Sequence, residues 1–287
     1  MKVVIIYNPN STGDSEKNAK DLAHELRGKK IEVSVRETTH VGHGEEIAAS
    51  YAKSGKDVVL ISSSGDGGYN EVINGALVGP SKNLVVGVLP SGNANDHHTA
   101  IGSDSLAKAI VKKDFQHIDT IKVSATVKGE AWVRYAHSYV GLGVTAVTAK
   151  SLTDERPNIF TEKWIVARSL LSFRYVKLNE NGKIRRYSSI LFSNIATMSK
   201  VLTLAKNASV VDGKFEMSTV RFRSKLRLIV YLLTAATIGV KRTQSLPSYH
   251  VETVSLLSIQ LDGEVFMIDK GSQLTVESAK QNLHCVL

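Results

Sequence analysis

The sequence predicts a two-domain protein of the α/β plus β class. Residues 1–122 are expected to form an N-terminal doubly wound, Rossmann-like domain, and residues 123–287 a C-terminal β-sandwich-like domain whose extreme C-terminus is a candidate to return to the first. Short β-branched runs alternate with longer amphipathic stretches up to about residue 122, and strand-like segments follow one another beyond it. Charge divides in the same way, with 14 Lys and Arg against 15 Asp and Glu in the first part and 22 against 12 in the second.

Four parallel strands are predicted in the first domain, because short apolar runs end at Gly, Pro, Asn or Ser. They are Val3–Tyr7, Ile31–Val35, Val58–Ser62 and Leu84–Leu89, with helices at residues 15–27, 44–54, 69–77 and 104–113. Ligands of such sheets bind beyond the carboxyl ends of the strands. The loops there, expected to line one edge, are Asn8–Gly13, Thr38-Thr39, Ser64–Gly68 and Pro90–Asn93.

The second domain is predicted to be mostly β. Its strand-like segments are Ser188–Ile195, Lys214–Val220, Val251–Gln260 and Gln273–Glu277. Two other segments differ in pattern. Phe160–Leu178 has the length of a helix, and Lys225–Val240 suits either a helix or a buried strand.

Basic residues of the second domain cluster in two stretches, Lys163–Arg186 and Arg221–Arg227, which both interleave apolar side chains. Such stretches are typical of a solvated surface or of contact with an anionic partner. A membrane surface is favoured over nucleic acid, because no nucleic-acid-binding motif is present.

The overall composition, 43% hydrophobic and 22% charged, excludes a disordered or fibrous chain. Cys285 is the single cysteine, which excludes an internal disulfide and a multi-cysteine zinc site. The N-terminal apolar run is too short for a signal peptide, and the longest uncharged stretch, Leu228–Val240, has 13 residues and is too short to span a bilayer. We therefore expect a cytoplasmic protein, peripheral at the membrane.

Residues 64–68 form a glycine-rich turn between a predicted strand and a predicted helix. Glycines let the backbone approach a ligand closely, and the N–H groups at a helix start attract phosphate oxygens. The turn lacks the Gly-Lys-Ser/Thr of a P-loop and the spacing of the dinucleotide fingerprint. Taken alone, it suits either a purely structural turn or a phosphate site.

Four motifs in order make the chain resemble the diacylglycerol kinase catalytic-domain family in its short bacterial lipid-kinase form, which is related more distantly to NAD kinases. They span nearly the whole chain: Asn8–Gly13, Ser64–Val72, Pro90–Asp96 and Asp262–Glu264. The resemblance implies an ATP-binding first domain, a lipid-binding second domain and an active site in the cleft between them.

The resemblance also assigns roles by position. Asp66 matches the signature carboxylate near the phosphates, and Glu264 matches the general base that takes a proton from the lipid hydroxyl. Three further acids match a supporting network: Asp96, Asp119 and Asp262. A Mg²⁺ site is implied at Asp212, with the main-chain carbonyls of Ser209 and Lys214. Nucleotide contacts are implied for Asn8, Thr38, Ser64, Gly65, Asp66, Gly67, Gly68, Asn70, Gly92 and Asn93.

Two departures from the family pattern concern hydroxyl groups. The signature Thr is Gly68 and its first Gly is Ser64, while the Thr of the Pro-x-Gly-Thr loop is Asn93. Each unmade neutral hydrogen bond would weaken ATP binding by about 0.5–1.5 kcal/mol. Taken without the other motifs, Asp262-Gly263 also suits a simple β-turn between two strands.

The function predicted is therefore an ATP- and Mg²⁺-dependent kinase that phosphorylates a lipid hydroxyl, such as that of diacylglycerol. The alternative is a non-catalytic nucleotide- or lipid-binding regulator derived from the same family. The partners expected are a lipid substrate and, transiently, an anionic membrane surface, while nucleic acid is not expected. The lipid selected and the oligomeric state stay open.

Overall fold

The structure is a computed structural model that describes residues 1–11, 13–79, 84–102, 105–143, 146, 175–198, 202–205, 207–221, 226, 230, 234 and 243–286. The helix predicted at Phe160–Leu178 lies outside these residues up to position 174, and Lys225–Val240 is described at three positions only. The chain divides into two compact units, Met1–Thr120 with Lys280–Leu287, and Ile121–Ala279.

A parallel sheet flanked by helices forms the first unit. In chain order its elements are β1 (Lys2–Tyr7), α1 (Ser15–Gly28), β2 (Glu32–Glu37), α2 (His43–Ser54), β3 (Val58–Ser64), α3 (Asp66–Leu77), β4 (Leu84–Pro90), α4 (Asp96–Ile101) and α5 (Leu106–Lys112). The strands lie in the order β4-β3-β1-β2 and are all parallel. The last strand of the chain, β17 (Gln273–Val286), pairs in parallel with β4 at Cys285.

Both faces of this sheet are buried, as the continuous apolar runs predict. Val3 and Ile5 pack in one core with residues of α1 and α5. Val4 and Ile6 alternate with them and are equally buried on the other face. The predicted doubly wound fold is confirmed.

Two helix starts differ from the prediction. The helix expected from residue 69 begins at Asp66, so Gly67 and Gly68 lie in its first turn rather than in the preceding loop. Asp is favoured in a first turn because its charge complements the exposed N–H groups there. Helix α4, which begins at Asp96, was not predicted and is only six residues long.

Strands make up nearly all of the described second unit, as predicted. The chain enters it along β5 (Phe115–Val127) and continues through β6 (Glu130–Ala136), β7 (Tyr139–Gly143), β8 (Val176–Glu180), β9 (Lys183–Ser193), β10 (Thr197–Met198), β11 (Leu202–Thr203), β12 (Phe215–Arg221), β13 (Gln244–Leu246), β14 (Ser248–Thr253), β15 (Leu257–Leu261) and β16 (Glu264–Ile268) before β17. The strand order is β16-β15-β7-β9-β8-β14-β17-β5-β6, and β12 pairs with β9 and β13. Inward aromatic rings fill its core, with Phe192 edge-on to Phe215 at 5.3 Å.

Two predictions for this unit are wrong in detail. Val251–Gln260 is not one strand, because β14 ends at Thr253 and β15 begins at Leu257. Thr253 accepts from Gly271 and donates to Ser272, which ends the β14 ladder, and β15 then pairs with β7 and β16 instead. Leu178, predicted as the end of a helix, lies in strand β8. Among the described residues, no helix combines the length and apolar character needed to cross a membrane.

Candidate functional site

Three loops of the first unit converge at the carboxyl ends of β1, β3 and β4. Gly65 and Gly92 touch through their backbones, since a Cβ on Gly92 would lie 2.3 Å from the Cα of Gly65. The N–H of Ser91 donates to the Ser64 carbonyl at 3.0 Å, and the N–H of Gly13 donates to the Ser91 carbonyl at 3.0 Å. Glycine is required at 92, because a side chain there would separate the two loops, and a Cβ on Gly65 would lie only 3.2 Å from the Cα of Gly92.

Serine hydroxyls line the same edge, and the sequence prediction did not include most of them. Ser63 Oγ donates to the Ser15 carbonyl at 2.8 Å and lies 3.1 Å from Ser91 Oγ. Asn18 Nδ2 donates to Ser91 Oγ at 3.0 Å, and Ser11 Oγ donates to the Ser91 carbonyl. The signal was present, because a Ser run ends β3 and Ser91 lies inside one of the motifs. The hydroxyls hold the three loops in one arrangement.

Asp66 links two of these loops through its carboxylate. Its Oδ2 accepts the N–H of Asp96 at 3.2 Å, and its Oδ1 accepts the N–H of His97 at 3.3 Å. These are the first two residues of α4, so Asp66 caps that helix from α3. Asp96 itself is 1% exposed. The structure thus brings two of the predicted acids, Asp66 and Asp96, together in one contact.

The remaining predicted nucleotide contacts occupy different environments. Asn8 and Thr38 follow β1 and β2 and are half-buried, and Asn93 is exposed. Asn70 is fully buried, and its side-chain oxygen accepts from Asn74 Nδ2 at 2.9 Å. Asn70 therefore contributes to the packing of α3.

Ser64 and Gly68 share one space. A Cβ on Gly68 would lie 2.6 Å from Ser64 Oγ and 2.7 Å from Ser64 Cβ. Ser64 is 3% exposed, and its hydroxyl bonds to Ser62 Oγ at 2.7 Å and to the Gly65 carbonyl at 3.0 Å. The changes from the family signature at positions 64 and 68 are therefore linked, since the Ser64 side chain fills the volume next to Gly68 where the family has Thr.

Glu71, which no prediction singled out, holds the loop after Thr38. Its carboxylate accepts the N–H of Gly42 at 2.8 Å and of Gly44 at 3.0 Å, at the start of α2. Gly42 has φ +87°, a conformation that favours glycine. No sequence signal could have found this contact, because it joins positions about thirty residues apart.

In the second unit, Asp262-Gly263 forms the two-residue turn between β15 and β16. Both residues have positive φ, 47° and 100°, and Leu261 pairs directly with Glu264. This is the geometry that favours Asp-Gly in hairpins. The turn expected from the local sequence is present, and it contains Asp262 and directly precedes Glu264.

Asp262 is 1% exposed and organises the chain between β6 and β7. Its carboxylate accepts the N–H groups of His137, Ser138 and Tyr139 at 2.7, 3.0 and 2.9 Å. His137 Nε2 also lies 3.3 Å from Oδ2. A buried carboxylate needs such partners, because an uncompensated charge in the interior is costly.

Glu264 is one-quarter exposed and faces Arg134 of β6, a residue that the sequence prediction missed. Arg134 Nη2 lies 4.0 Å from Glu264 Oε2, and the guanidinium lies 5.5 Å from the centre of the Phe266 ring. Trp132, two residues before Arg134 on the same face, packs on Phe266 at 5.0 Å. Arg134 is thus held between an aromatic ring and the predicted base.

Two other predicted acids, Asp119 and Asp212, accept hydrogen bonds from main-chain N–H groups away from these two sites. Asp119, fully buried in the first unit, accepts the N–H of Gln281 at 2.7 Å and supports its left-handed conformation. Asp212 is exposed, and its Oδ1 accepts the N–H of Lys214 at 3.0 Å. Ser209 Oγ accepts from Val211 in the same turn. Within the described ranges, no group of three or more His, Cys, Asp or Glu side chains could hold a metal ion.

Residues 2–123 match the diacylglycerol kinase catalytic domain. A probable YegS-like lipid kinase of Klebsiella pneumoniae (strain 342) is 29% identical over 148 residues, 50% of this chain and 48% of that protein. A diacylglycerol kinase of Staphylococcus saprophyticus is 37% identical over 98 residues, 34% of this chain and 32% of that protein. These matches span half or less of each relative's length.

Solved structures share the fold over the whole chain. A diacylglycerol kinase of Bacillus anthracis str. Sterne is 17% identical with a TM-score of 0.71, covering 99% of this chain and 96% of that one. A yeast NADH kinase is 12% identical with a TM-score of 0.53, covering 100% and 83%. The ordered motifs, the parallel-sheet edge and the match over residues 2–123 agree, and this segment of the chain is similar to the diacylglycerol kinase catalytic domain.

Proposed function

We propose that this chain is an ATP-dependent, Mg²⁺-requiring lipid kinase that transfers the γ-phosphoryl group to a lipid hydroxyl of the diacylglycerol type. The observation that carries the proposal is the convergence of three Gly- and Ser-rich loops beside Asp66, at the carboxyl edge of a parallel sheet. Relatives named lipid kinases and diacylglycerol kinase support it. We further propose that the protein works on the cytoplasmic side, in transient contact with an anionic membrane.

The first unit is assigned to the nucleotide. Backbone N–H groups of the glycine turn at the start of α3 suit phosphate oxygens, and Gly65 and Gly92 keep side chains away from them. Asp66 already accepts two N–H groups, which fixes its orientation at this edge. A rigid loop arrangement lowers the ordering cost of binding a triphosphate.

Glu264 of the second unit is assigned to the acceptor hydroxyl. Its carboxylate takes the hydroxyl proton as the lipid oxygen bonds to the γ-phosphorus, and the bond from that phosphorus to the bridging oxygen breaks to release ADP. Arg134 orients Glu264 by charge and is itself held by the Phe266 ring.

Mg²⁺ fits the donors near Asp212. This carboxylate is exposed, and it lies in the turn between Ser209 and Lys214, where its Oδ1 accepts the N–H of Lys214. Carboxylate and carbonyl oxygens are the ligands that Mg²⁺ prefers. When bound, the ion supplies positive charge that stabilises phosphate oxygens. Asp212, with the carbonyls of Ser209 and Lys214, would hold it.

The test is transfer of label from γ-labelled ATP to lipid in mixed micelles containing Mg²⁺. The panel comprises diacylglycerol, sphingoid bases, phosphatidylglycerol and polyprenols. Label should enter one lipid class, and Glu264→Gln and Asp66→Asn should each lower kcat by at least about 100-fold. Glu277→Gln and Asp57→Asn, surface carboxylates of the same two units, are the matched controls and should keep full activity. Absence of transfer to every lipid would overturn the proposal.

A second candidate, a non-catalytic nucleotide- or lipid-binding regulator, is favoured by one observation. The hydroxyl expected at position 68 is absent, and the Ser64 hydroxyl that replaces its volume is buried and already hydrogen bonded. Calorimetric titration with ATP separates the two candidates. Binding of ATP without turnover on any lipid would favour the regulator, and any lipid turnover would exclude it.

A further inference from the structure

The β8–β9 hairpin separates its basic residues between two faces. On one face Arg185 Nε pairs with Glu180 Oε2 at 2.9 Å. On the other face, which we call the outer face, Lys177 lies directly opposite Arg186. Like charges directly opposite each other in an antiparallel pair oppose strand pairing. In the described part of the chain no carboxylate forms an ion pair with either residue.

An aromatic ring brings these two cations together. Arg186 Cζ lies 5.0 Å and Lys177 Nζ 5.8 Å from the centre of the Tyr175 ring. Tyr175 is two residues before Lys177, so both side chains share one face of the extended chain. Contact with one ring keeps the two positive groups close, and an anion bound there would neutralise both.

The outer face also presents an aliphatic side chain to solvent. Ile184, two residues before Arg186, is 62% exposed. It follows the tight turn Asn181-Gly182, where both residues have positive φ, so it is carried on a well-defined hairpin. An exposed isoleucine beside two cations and a tyrosine combines the chemistry of the bilayer interface, where apolar groups enter and basic groups meet lipid phosphates.

We propose that the outer face, Tyr175, Lys177, Ile184 and Arg186, docks on an anionic phospholipid surface. This inference rests on the proposed function in one respect, namely that a lipid kinase meets its substrate at such a surface. The facing cations attract the lipid phosphates, and Ile184 enters the boundary between headgroups and acyl chains. Ile184 favours a bilayer over nucleic acid, because a phosphate backbone has no apolar site for it.

The test is flotation of the full chain with phosphatidylcholine vesicles, with and without phosphatidylglycerol. The wild type should bind only the anionic vesicles, and Lys177→Gln/Arg186→Gln should weaken that binding about tenfold or more. Ile184→Ser should weaken it several-fold. Lys20→Gln/Lys29→Gln removes equal charge from exposed sites on α1 and just after it, and should leave binding unchanged. Lys177→Arg/Arg186→Lys keeps the charge and should retain binding.

Folding and activity controls keep the two proposals separate. Removing facing like charges should not lower the melting temperature of the double Gln variant. Its lipid phosphorylation in neutral-detergent micelles should equal that of the wild type. Vesicle binding that is equal in wild type and double variant, or absent in both, overturns the docking surface even if the kinase is active. If vesicle binding depends on Lys177 and Arg186 but the protein phosphorylates no lipid, only the proposed kinase activity is overturned. If the double Gln variant loses binding to duplex DNA but binds vesicles as well as the wild type does, the outer face is assigned to nucleic acid instead.

Discussion

Substitution of Gly68 by Thr, which restores the residue of the family signature, should destabilise this protein. The new Cβ would lie 2.6 Å from Ser64 Oγ and 2.7 Å from Ser64 Cβ. Rotation of the Ser64 side chain does not move Ser64 Cβ, so it cannot relieve the contact between that atom and the new Cβ. The rotation would also break the hydrogen bonds of the Ser64 hydroxyl to Ser62 and Gly65. Overpacking of this kind costs about 1–3 kcal/mol.

The net change in unfolding free energy for Gly68→Thr also includes one stabilising effect. Thr in place of Gly inside a helix gains about 0.5 kcal/mol of helix propensity. A net loss of about 1–2 kcal/mol should lower the first unfolding transition by about 3–8 °C. In the Ser64→Gly background the clash is gone, so the same Gly68→Thr change should be close to neutral. The two sites should therefore be coupled by about 1–2 kcal/mol.

The assay is a double-mutant cycle followed by urea and thermal unfolding, with ATP titration of each variant. Gly28→Thr is the matched control, because nothing lies within 4 Å of the Cβ it would add at the end of α1. ATP should bind the double variant as tightly as the wild type or several-fold more tightly, since a hydroxyl returns to the α3 turn. Equal destabilisation by Gly68→Thr in both backgrounds would refute the shared-space reasoning.

Three other predictions concern the second unit and the end of the chain. Asp262→Asn should lower the unfolding free energy of the second unit by about 2–3 kcal/mol, because the carboxylate accepts three buried N–H groups. Denaturant unfolding followed by Trp fluorescence measures this loss, and an unchanged unfolding curve would refute the assigned role. Arg134→Gln should lower kcat about tenfold with the KM for ATP unchanged, because Arg134 contacts Glu264 rather than the nucleotide loops, and Arg134→Lys should recover part of the rate. Burial, and to a lesser degree the stacked His117, lowers the pKa of His284 from its ordinary value of 6.5. The unfolded chain therefore binds a proton at His284 more readily than the folded chain, so the unfolding free energy should fall as pH decreases below about 6.5. The variant His284→Gln should show a weaker pH dependence. Unfolding curves recorded between pH 5 and pH 7, at about 0.5-unit steps, measure the difference.

The first unit could be predicted closely from the sequence because its signals are local. The apolar runs at Val3–Tyr7 and Val58–Ser62 lie within strands that extend them by one or two residues. The glycine motifs also predicted which strand ends carry the loops. Helix α4 could not be predicted in the same way, because its first N–H groups are satisfied by Asp66, thirty residues earlier. A six-residue helix has little intrinsic stability and depends on such a distant contact.

The second unit followed its local pattern less closely. Alternating apolar residues predicted strands throughout, but they could not reveal that Val251–Gln260 changes partners at residues 254–256. Partner choice in an antiparallel sheet depends on pairing between distant strands, and local propensity changes little across such a break. Arg134 was missed for the same reason, since it reaches Glu264 from a strand more than a hundred residues earlier.

By itself, the sequence determined the strand and helix periods, the tight Asp262-Gly263 turn, the glycine-rich loops and the basic character of the second half. Each of these depends on the side-chain chemistry of residues within a few positions of one another. Only the tertiary structure decided that Gly65 touches Gly92, that Asp66 caps α4 and that Lys177 faces Arg186. Those contacts join residues far apart in the chain or on different strands, and such residues meet only when burial of apolar surface has brought their elements together.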